Sequence, residues 1–146
     1  MIKNVRHIGI MVSDMEKSLK FYRDLLGLKV QYLVDEEGEF LDNILAHENV
    51  KNKVVKLSTT SSNTLVELFY SYSHPRNKRD IDFFTTGSSH FAFTVDNLDE
   101  TYDYLIKNGV KFTTQPKLSP DGLVKVTFCE DPDGTPIELV EEINTN

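Results

Sequence analysis

The chain has 146 residues, of which 39% are apolar and 27% are charged, a composition typical of soluble globular proteins. Its net charge is -7 and its pI is about 5.0, whereas nucleic-acid binding depends on basic surface that neutralises phosphates. Its longest apolar runs have roughly five residues, but a membrane span needs about 20. We therefore expect a cytoplasmic protein that binds neither nucleic acid nor membrane.

The first element is a strand, "RHIGIMV" (6–12). Side chains alternate between the two faces of a strand, so the branched aliphatic residues share one face and His7 shares the other with the small Gly9. The next segment predicts a helix with apolar residues at helical spacing, a capping-box pair of Ser13 and Glu16, and Gly27 at its end.

The remainder of the first half is less regular. Residues 31–52 predict one strand and one long loop. The segments "NKVVKLS" and "TLVELFY" then predict two strands joined by the turn-prone "TTSSN". The first half is thus expected to contain a strand, a helix, and two or three further strands.

The second half of the chain repeats this order. "SHFAFTV" (89–95) matches the first strand, with His90 at the position of His7 and Ala92 at that of Gly9. A helix follows, and then "GLVKVTFCE" and "TPIELVE" flank the turn signal "DPDG". The sequence predicts an α+β fold in which two modules, 1–75 and 85–146, form a single domain, 1–146.

The second predicted helix has the same start and end signals as the first. Asn97 and Glu100 stand at its beginning, and Gly109 stands at its end. The single cysteine, Cys129, excludes an intramolecular disulfide, and its alternating surroundings "VKVTFCED" predict a buried thiol in a strand.

Four polar residues occupy matching places in the two modules. Each module has a histidine on its first strand and a glutamate on its last, both opposite the branched aliphatic face: His7, Glu67, His90 and Glu138. If the first and last strands are neighbours, each histidine and glutamate share one space. Imidazole nitrogen and carboxylate oxygen are ligands for Zn²⁺, Ni²⁺, Co²⁺, Mn²⁺ and Fe²⁺. A single histidine in a strand is more often a hydrogen-bonded core residue, but the recurrence favours one divalent metal. Gly9 and Ala92 are small and lie two residues beyond each histidine on the same face, so we expect them to leave room beside that metal for water or substrate.

The chain resembles the vicinal-oxygen-chelate superfamily of glyoxalases, bleomycin resistance proteins, epimerases and extradiol dioxygenases. The resemblance is carried by "HIGIMVSDMEKSLKFYRDLLGL", "LVELFY", "SHFAFTVDNLDETYDYLIKNGV" and "FCEDPDGTPIELVE". It implies two tandem βαβββ modules whose curved mixed sheets surround a metal-binding cup, and a homodimer. The superfamily's ligand positions fall on His7, Glu67, His90 and Glu138.

The resemblance implies a metal-dependent isomerase, epimerase or lyase that acts through a metal-chelated enediolate on a small carbonyl or acyl substrate. The chain's four candidate ligands resemble those of glyoxalase I (lactoylglutathione lyase), which implies that Glu138 or Glu67 is the base. The arginine and asparagine that glyoxalase I proteins use for glutathione are not matched, because the first strand has no following arginine and Ser71 stands at the asparagine position. Methylmalonyl-CoA epimerases usually have glutamine where this chain has Glu67.

Further residues are weaker candidates. The basic residues Arg76, Lys78 and Arg79 form either a solvated loop or a contact for an anionic substrate tail such as a CoA phosphate. Glu48 lies in the irregular region, where related epimerases place an additional acid/base. His47 and His74 are expected at the surface.

Two other functions remain open at this point. Extradiol-type dioxygenases (with iron) and fosfomycin-type thiol transferases use two histidines and one glutamate, which would leave Glu67 surplus. Non-catalytic binding or resistance proteins of the superfamily typically lack the ligand set, which is intact here. Whether one metal site forms within a chain or between two chains is also open.

Overall fold

In the computed structural model the chain divides into two compact units, Met1–Lys78 and Arg79–Asn146, and residues 1–76 and 83–143 are described. Each unit contains a four-stranded mixed sheet with a helix packed on it. This confirms the α+β fold with two repeated modules. Among the described residues, no helix is long and apolar enough to cross a bilayer.

The first unit contains six elements, and its strands lie in the order β1-β4-β3-β2. β1 is parallel to β4, and the other neighbours are antiparallel. α1 continues directly into a π-helical segment, Lys20–Leu25. The elements are β1 (His7–Met11), α1 (Met15–Leu19), β2 (Lys29–Glu37), α2 (Glu39–Leu45), β3 (Lys51–Ser58) and β4 (Leu65–Ser71).

The core of the first unit lies between its sheet and α1. Leu57 of β3 and Leu68 of β4 are fully buried, as is Tyr22 of the π-helical segment. Burying side chains of this size contributes roughly 1.5–3 kcal/mol each. Gly27 ends the helical segment in the left-handed conformation, with φ at +75°, as predicted. Glycine adopts this conformation without the steric penalty that a Cβ atom causes in other residues.

The predicted N-cap of α1 is one residue early. The helix is capped by Asp14, whose Oδ1 accepts a hydrogen bond from the Lys17 backbone N–H at 3.1 Å, and not by Ser13. Asp14 has the extended backbone that an N-cap requires. The Lys17 N–H holds the pKa of the Asp14 carboxyl below its usual value. Two adjacent residues were both good caps, and the carboxylate also complements the helix dipole.

The expectation of one strand and one long loop for residues 31–52 is wrong, because this stretch also contains α2. Of its apolar side chains, Leu41 is buried whereas Phe40 and Ile44 are exposed. The apolar face is therefore buried only in part. The apolar residues recur at helical spacing in the sequence, but the helix has only seven residues. The helix ends at Ala46, which adopts a left-handed conformation with φ at +53°.

The second unit repeats the topology of the first. Its strand order is β5-β8-β7-β6, again with the first strand parallel to the last. Asn97 caps α3 by accepting a hydrogen bond from the Glu100 N–H at 3.1 Å, as predicted. The elements are β5 (Phe91–Thr94), α3 (Leu98–Lys107), β6 (Lys117–Leu118), β7 (Val124–Glu130) and β8 (Pro136–Glu142).

Cys129 lies on β7 and is buried, which confirms the sequence expectation. Burial raises the pKa of its thiol to about 12, because the thiolate loses its hydration. The thiolate is the reactive form of cysteine, so the folded protein should be inert to thiol reagents.

We expect the native protein at pH 8 to react with an aromatic disulfide reagent at least about 100-fold more slowly than the urea-unfolded chain. The released chromophore measures both rates, and Cys129→Ala provides the background. A native rate equal to the unfolded rate would contradict the burial of this thiol.

Candidate metal centre

The first His–Glu pair is formed by the parallel pairing of β1 with β4. Gly9 is the register partner of Glu67, so His7 lies two residues earlier on the same face. His7 Nε2 is 3.7 Å from Glu67 Oε1. The Glu67 side chain is mostly buried, whereas that of His7 is more than one-third exposed, so the pair is accessible from solvent.

Gly9 has a different role from the one that its small size suggested. A Cβ at this position would lie 3.2 Å from Cε1 of Phe69, a closer approach than side chains normally tolerate. The space beside His7 that we expected to remain for a ligand is therefore occupied in part by the Phe69 ring. Glycine lets the ring pack closely against the strand at this position, and a larger residue would displace the ring by a few tenths of an ångström.

The second His–Glu pair is built in the same way. Ala92 of β5 is the register partner of Glu138 on β8, and His90 directly precedes β5. His90 Nε2 is 3.3 Å from Glu138 Oε2, and both side chains are partly exposed. The His90 ring lies edge-on to Phe128, with centroids 5.3 Å apart. The sequence repeat thus corresponds to a structural repeat of the pair.

Both pairs suit a divalent metal. Two ligands that are each about 2.1 Å from one tetrahedral ion lie roughly 3.4 Å apart, close to the 3.3 Å and 3.7 Å observed. Within the described part of either unit, no group of three or more His, Cys, Asp or Glu side chains is arranged to hold a metal. Each pair taken alone therefore offers two candidate ligands, whereas protein metal sites commonly use three or four.

Lys56 distinguishes the two pairs, and the sequence analysis missed it. It is the antiparallel register partner of Glu67, and its Nζ lies 3.0 Å from Glu67 Oε2. The two oxygens of Glu67 thus face different partners, His7 and Lys56. In the second unit Phe128 is the register partner of Glu138. The signal available in the sequence was a lysine in the otherwise apolar run "VVKL".

Asn52 is a second residue that the sequence analysis missed. It is buried, and its Oδ1 accepts no hydrogen bond from the residues that the structure describes. Its register partner is Ser71, at the position where glyoxalase I proteins have an asparagine. An amide side chain is therefore present beside Ser71, but it belongs to Asn52 on β3 and not to β4.

Arg76 is engaged by its own unit. Its guanidinium carbon lies 4.1 Å from the centre of the Tyr70 ring, and its Nη1 donates a hydrogen bond to the Ser71 carbonyl. Stacking of this kind holds the side chain in place. The other members of the basic cluster, Lys78 and Arg79, lie outside the described residues.

The remaining candidates lie away from the strands. Glu48 is exposed in the turn between α2 and β3. His47 and His74 come together, with ring centroids 5.5 Å apart and nearly perpendicular rings. The sequence analysis placed both at the surface but gave no reason to pair them.

Comparison with known proteins gives the family. The family model for the Glyoxalase/Bleomycin resistance protein/Dioxygenase superfamily matches residues 4–139. The lactoylglutathione lyase of Schizosaccharomyces pombe is 32% identical over 97% of this chain and 48% of its own length. The chain therefore spans about half the length of this relative. A probable lactoylglutathione lyase of Synechocystis is 30% identical over 92% of both chains.

A solved structure supports the same fold. A glyoxalase family protein from Bacillus cereus superposes with a TM-score of 0.86 over 98% of this chain and 97% of its own, at 19% identity. At this identity the likeness concerns the fold alone. The family model, however, matches most of the sequence, and the resemblance found there is confirmed. The chain belongs to the Glyoxalase/Bleomycin resistance protein/Dioxygenase superfamily.

Proposed function

We propose that the protein is a divalent-metal-dependent lyase or isomerase that transfers a proton at the carbon next to a carbonyl group of a small substrate. The observation that carries this proposal is the His–Glu pair that recurs at matching strand positions in both units. The two relatives named as lactoylglutathione lyases, at 30% and 32% identity, support the same chemistry.

His7, Glu67, His90 and Glu138 would together hold one metal ion, as two pairs that each supply two ligands. The pairs would come from one chain or from two chains of a homodimer. The bound metal would supply a Lewis acid that stabilises negative charge on two adjacent substrate oxygens, as in an enediolate. The protein's own contribution is to orient the substrate and to move its proton.

Glu138 is the better candidate for the base. A carboxylate that removes a proton must be free to leave its other partners. Glu67 is held by the Lys56 ammonium at 3.0 Å, which neutralises its charge and fixes its position. Glu138 contacts His90 and has the apolar Phe128 as its cross-strand partner. We therefore assign proton transfer to Glu138 and a fixed ligand role to Glu67.

The residues that glyoxalase I proteins use to bind glutathione are not matched in this chain, so we expect a different carrier group on the substrate. The chain lacks the arginine after the first histidine and has Ser71 in place of the asparagine. Other acyl or carbonyl compounds remain compatible with the four candidate ligands, because a bound metal would contact only the reacting oxygens. An epimerase is compatible with the same proton transfer.

Metal content tests the ligand assignment. Protein purified without chelators should contain one Zn, Ni, Co or Mn ion per chain, as measured by mass spectrometry of the metal. His7→Ala and His90→Ala should each lower metal affinity at least about tenfold, because each removes a ligand. His47→Ala, an exposed histidine outside both pairs, is the control.

Two outcomes would change this assignment. If both histidine variants bound metal as tightly as the wild type, the four residues would not form the site. Bound iron together with oxygen consumption would move the protein to dioxygenase chemistry.

Glu138→Gln tests the base. It keeps an oxygen for the metal but loses the proton acceptor, so metal should be retained while turnover falls about 100-fold or more. Proton NMR in D₂O measures exchange at the carbon next to the carbonyl, with lactoylglutathione and simpler 2-hydroxyacyl thioesters as trial substrates. Full exchange in metal-replete Glu138→Gln would leave Glu67 or Glu48 as the base.

A homodimer is the expected assembly. β2 is an edge strand of nine residues, and Val30 and Leu33 are exposed on it. Apolar edge strands of this length are usually covered in native proteins. Sedimentation at micromolar concentration should give twice the 16.7 kDa of the chain, and a monomer under these conditions would argue against the dimer.

A further inference from the structure

One row of side chains crosses the whole sheet of the first unit. Gly9 is the register partner of Glu67, Glu67 of Lys56, and Lys56 of Tyr32, so the row includes all four strands. Register partners in a sheet lie on the same face. The contacts agree, because Lys56 Nζ lies 3.0 Å from Glu67 Oε2 and 5.8 Å from the centre of the Tyr32 ring.

The Lys56 ammonium is accessible. Its side chain is 27% exposed, and the Tyr32 ring beyond it is half exposed. An ammonium group has three N–H donors, and the contact with Glu67 engages one side of it. In a chain with a net charge of -7, this places a cation on the same face as a His–Glu pair.

The position equivalent to Lys56 in the second unit carries no cation. Phe128 stands at the place that corresponds to Lys56, as the cross-strand partner of Glu138. The second His–Glu pair is nevertheless closer, at 3.3 Å compared with 3.7 Å. A lysine is therefore not needed to bring histidine and glutamate together in this fold. We infer that Lys56 has a role of its own in the first unit.

We propose that Lys56, with Tyr32 beyond it, binds an oxyanion group of the substrate, a carboxylate or a phosphate. This inference rests on the metal-dependent function proposed above. Lys56 Nζ lies 3.0 Å from Glu67 Oε2, and a hydrogen bond from an ammonium is about 3 Å long, so the oxyanion would lie within about 6 Å of that carboxylate oxygen. The substrate class is then a small carbonyl compound whose anionic group lies within about 10 Å of its metal-chelating oxygens.

A matched pair of ligands tests this assignment. 2-Oxoglutarate and its 5-methyl ester share the same chelating 2-oxo acid end, and only the former has a second carboxylate, two methylene groups away. Calorimetric titration of the Zn²⁺-loaded wild type should show about tenfold tighter binding of the dicarboxylate, a usual contribution of a hydrogen bond to a charged group. This preference should also fall as salt is added.

Variants of two lysines on β3 test whether Lys56 causes the preference for the dicarboxylate. Lys56→Met should bind Zn²⁺ but bind the two ligands about equally, and Lys56→Arg should restore the preference. Lys53→Met is the matched control, since it removes the same charge from the opposite face of the same strand, where Lys53 pairs with Asp35 and Tyr70. It should retain the wild-type ratio.

The possible failures are distinguishable. A wild type that binds Zn²⁺ but does not prefer the dicarboxylate would overturn the oxyanion site alone. Equal loss of preference in Lys56→Met and Lys53→Met would also overturn it, because the effect would then be one of general charge. A wild type that binds no Zn²⁺ would overturn the metal-dependent function, and this inference with it.

Discussion

The parallel pairing of the first strand with the last strand in each unit is the constraint on which the candidate centre depends. It places a residue of β1 beside Glu67 and a residue of β5 beside Glu138, although each glutamate is far along the chain from its histidine. Parallel neighbours need a long crossover connection. That connection is made by α1, β2, α2 and β3 in the first unit and by α3, β6 and β7 in the second.

Partly buried carboxylates are the second constraint, because a charge removed from water is costly unless it is paired. The two units solve this differently. Glu67 contacts both His7 and Lys56, whereas Glu138 contacts His90 beside two aromatic rings, Phe83 and Phe128. The same backbone register therefore gives two carboxylates with different surroundings, which is a physical basis for assigning them different roles.

Divergence between the repeats is concentrated where the fold permits it. α2 is inserted between two antiparallel strands of the first unit, a connection that tolerates extra residues at little entropic cost. The exchange of a lysine for a phenylalanine at the partner positions of Glu67 and Glu138 leaves both strand ladders intact. The cross-strand neighbour of the glutamate can thus change without loss of the His–Glu pairs.

The sequence by itself determined the α+β repeat, the buried Cys129, the glycine after the π-helical segment and the matching positions of the two His–Glu pairs, because these follow from local periodicity and from the match between two halves of one chain. α2 was not predicted, because its helical pattern covers only seven residues, fewer than the roughly ten to twelve that distinguish a helix by periodicity. Only the tertiary structure decided that Lys56 lies against Glu67 and that Phe69 fills the space above Gly9. Both depend on strand register, which is set by long-range pairing and is not encoded in any single segment.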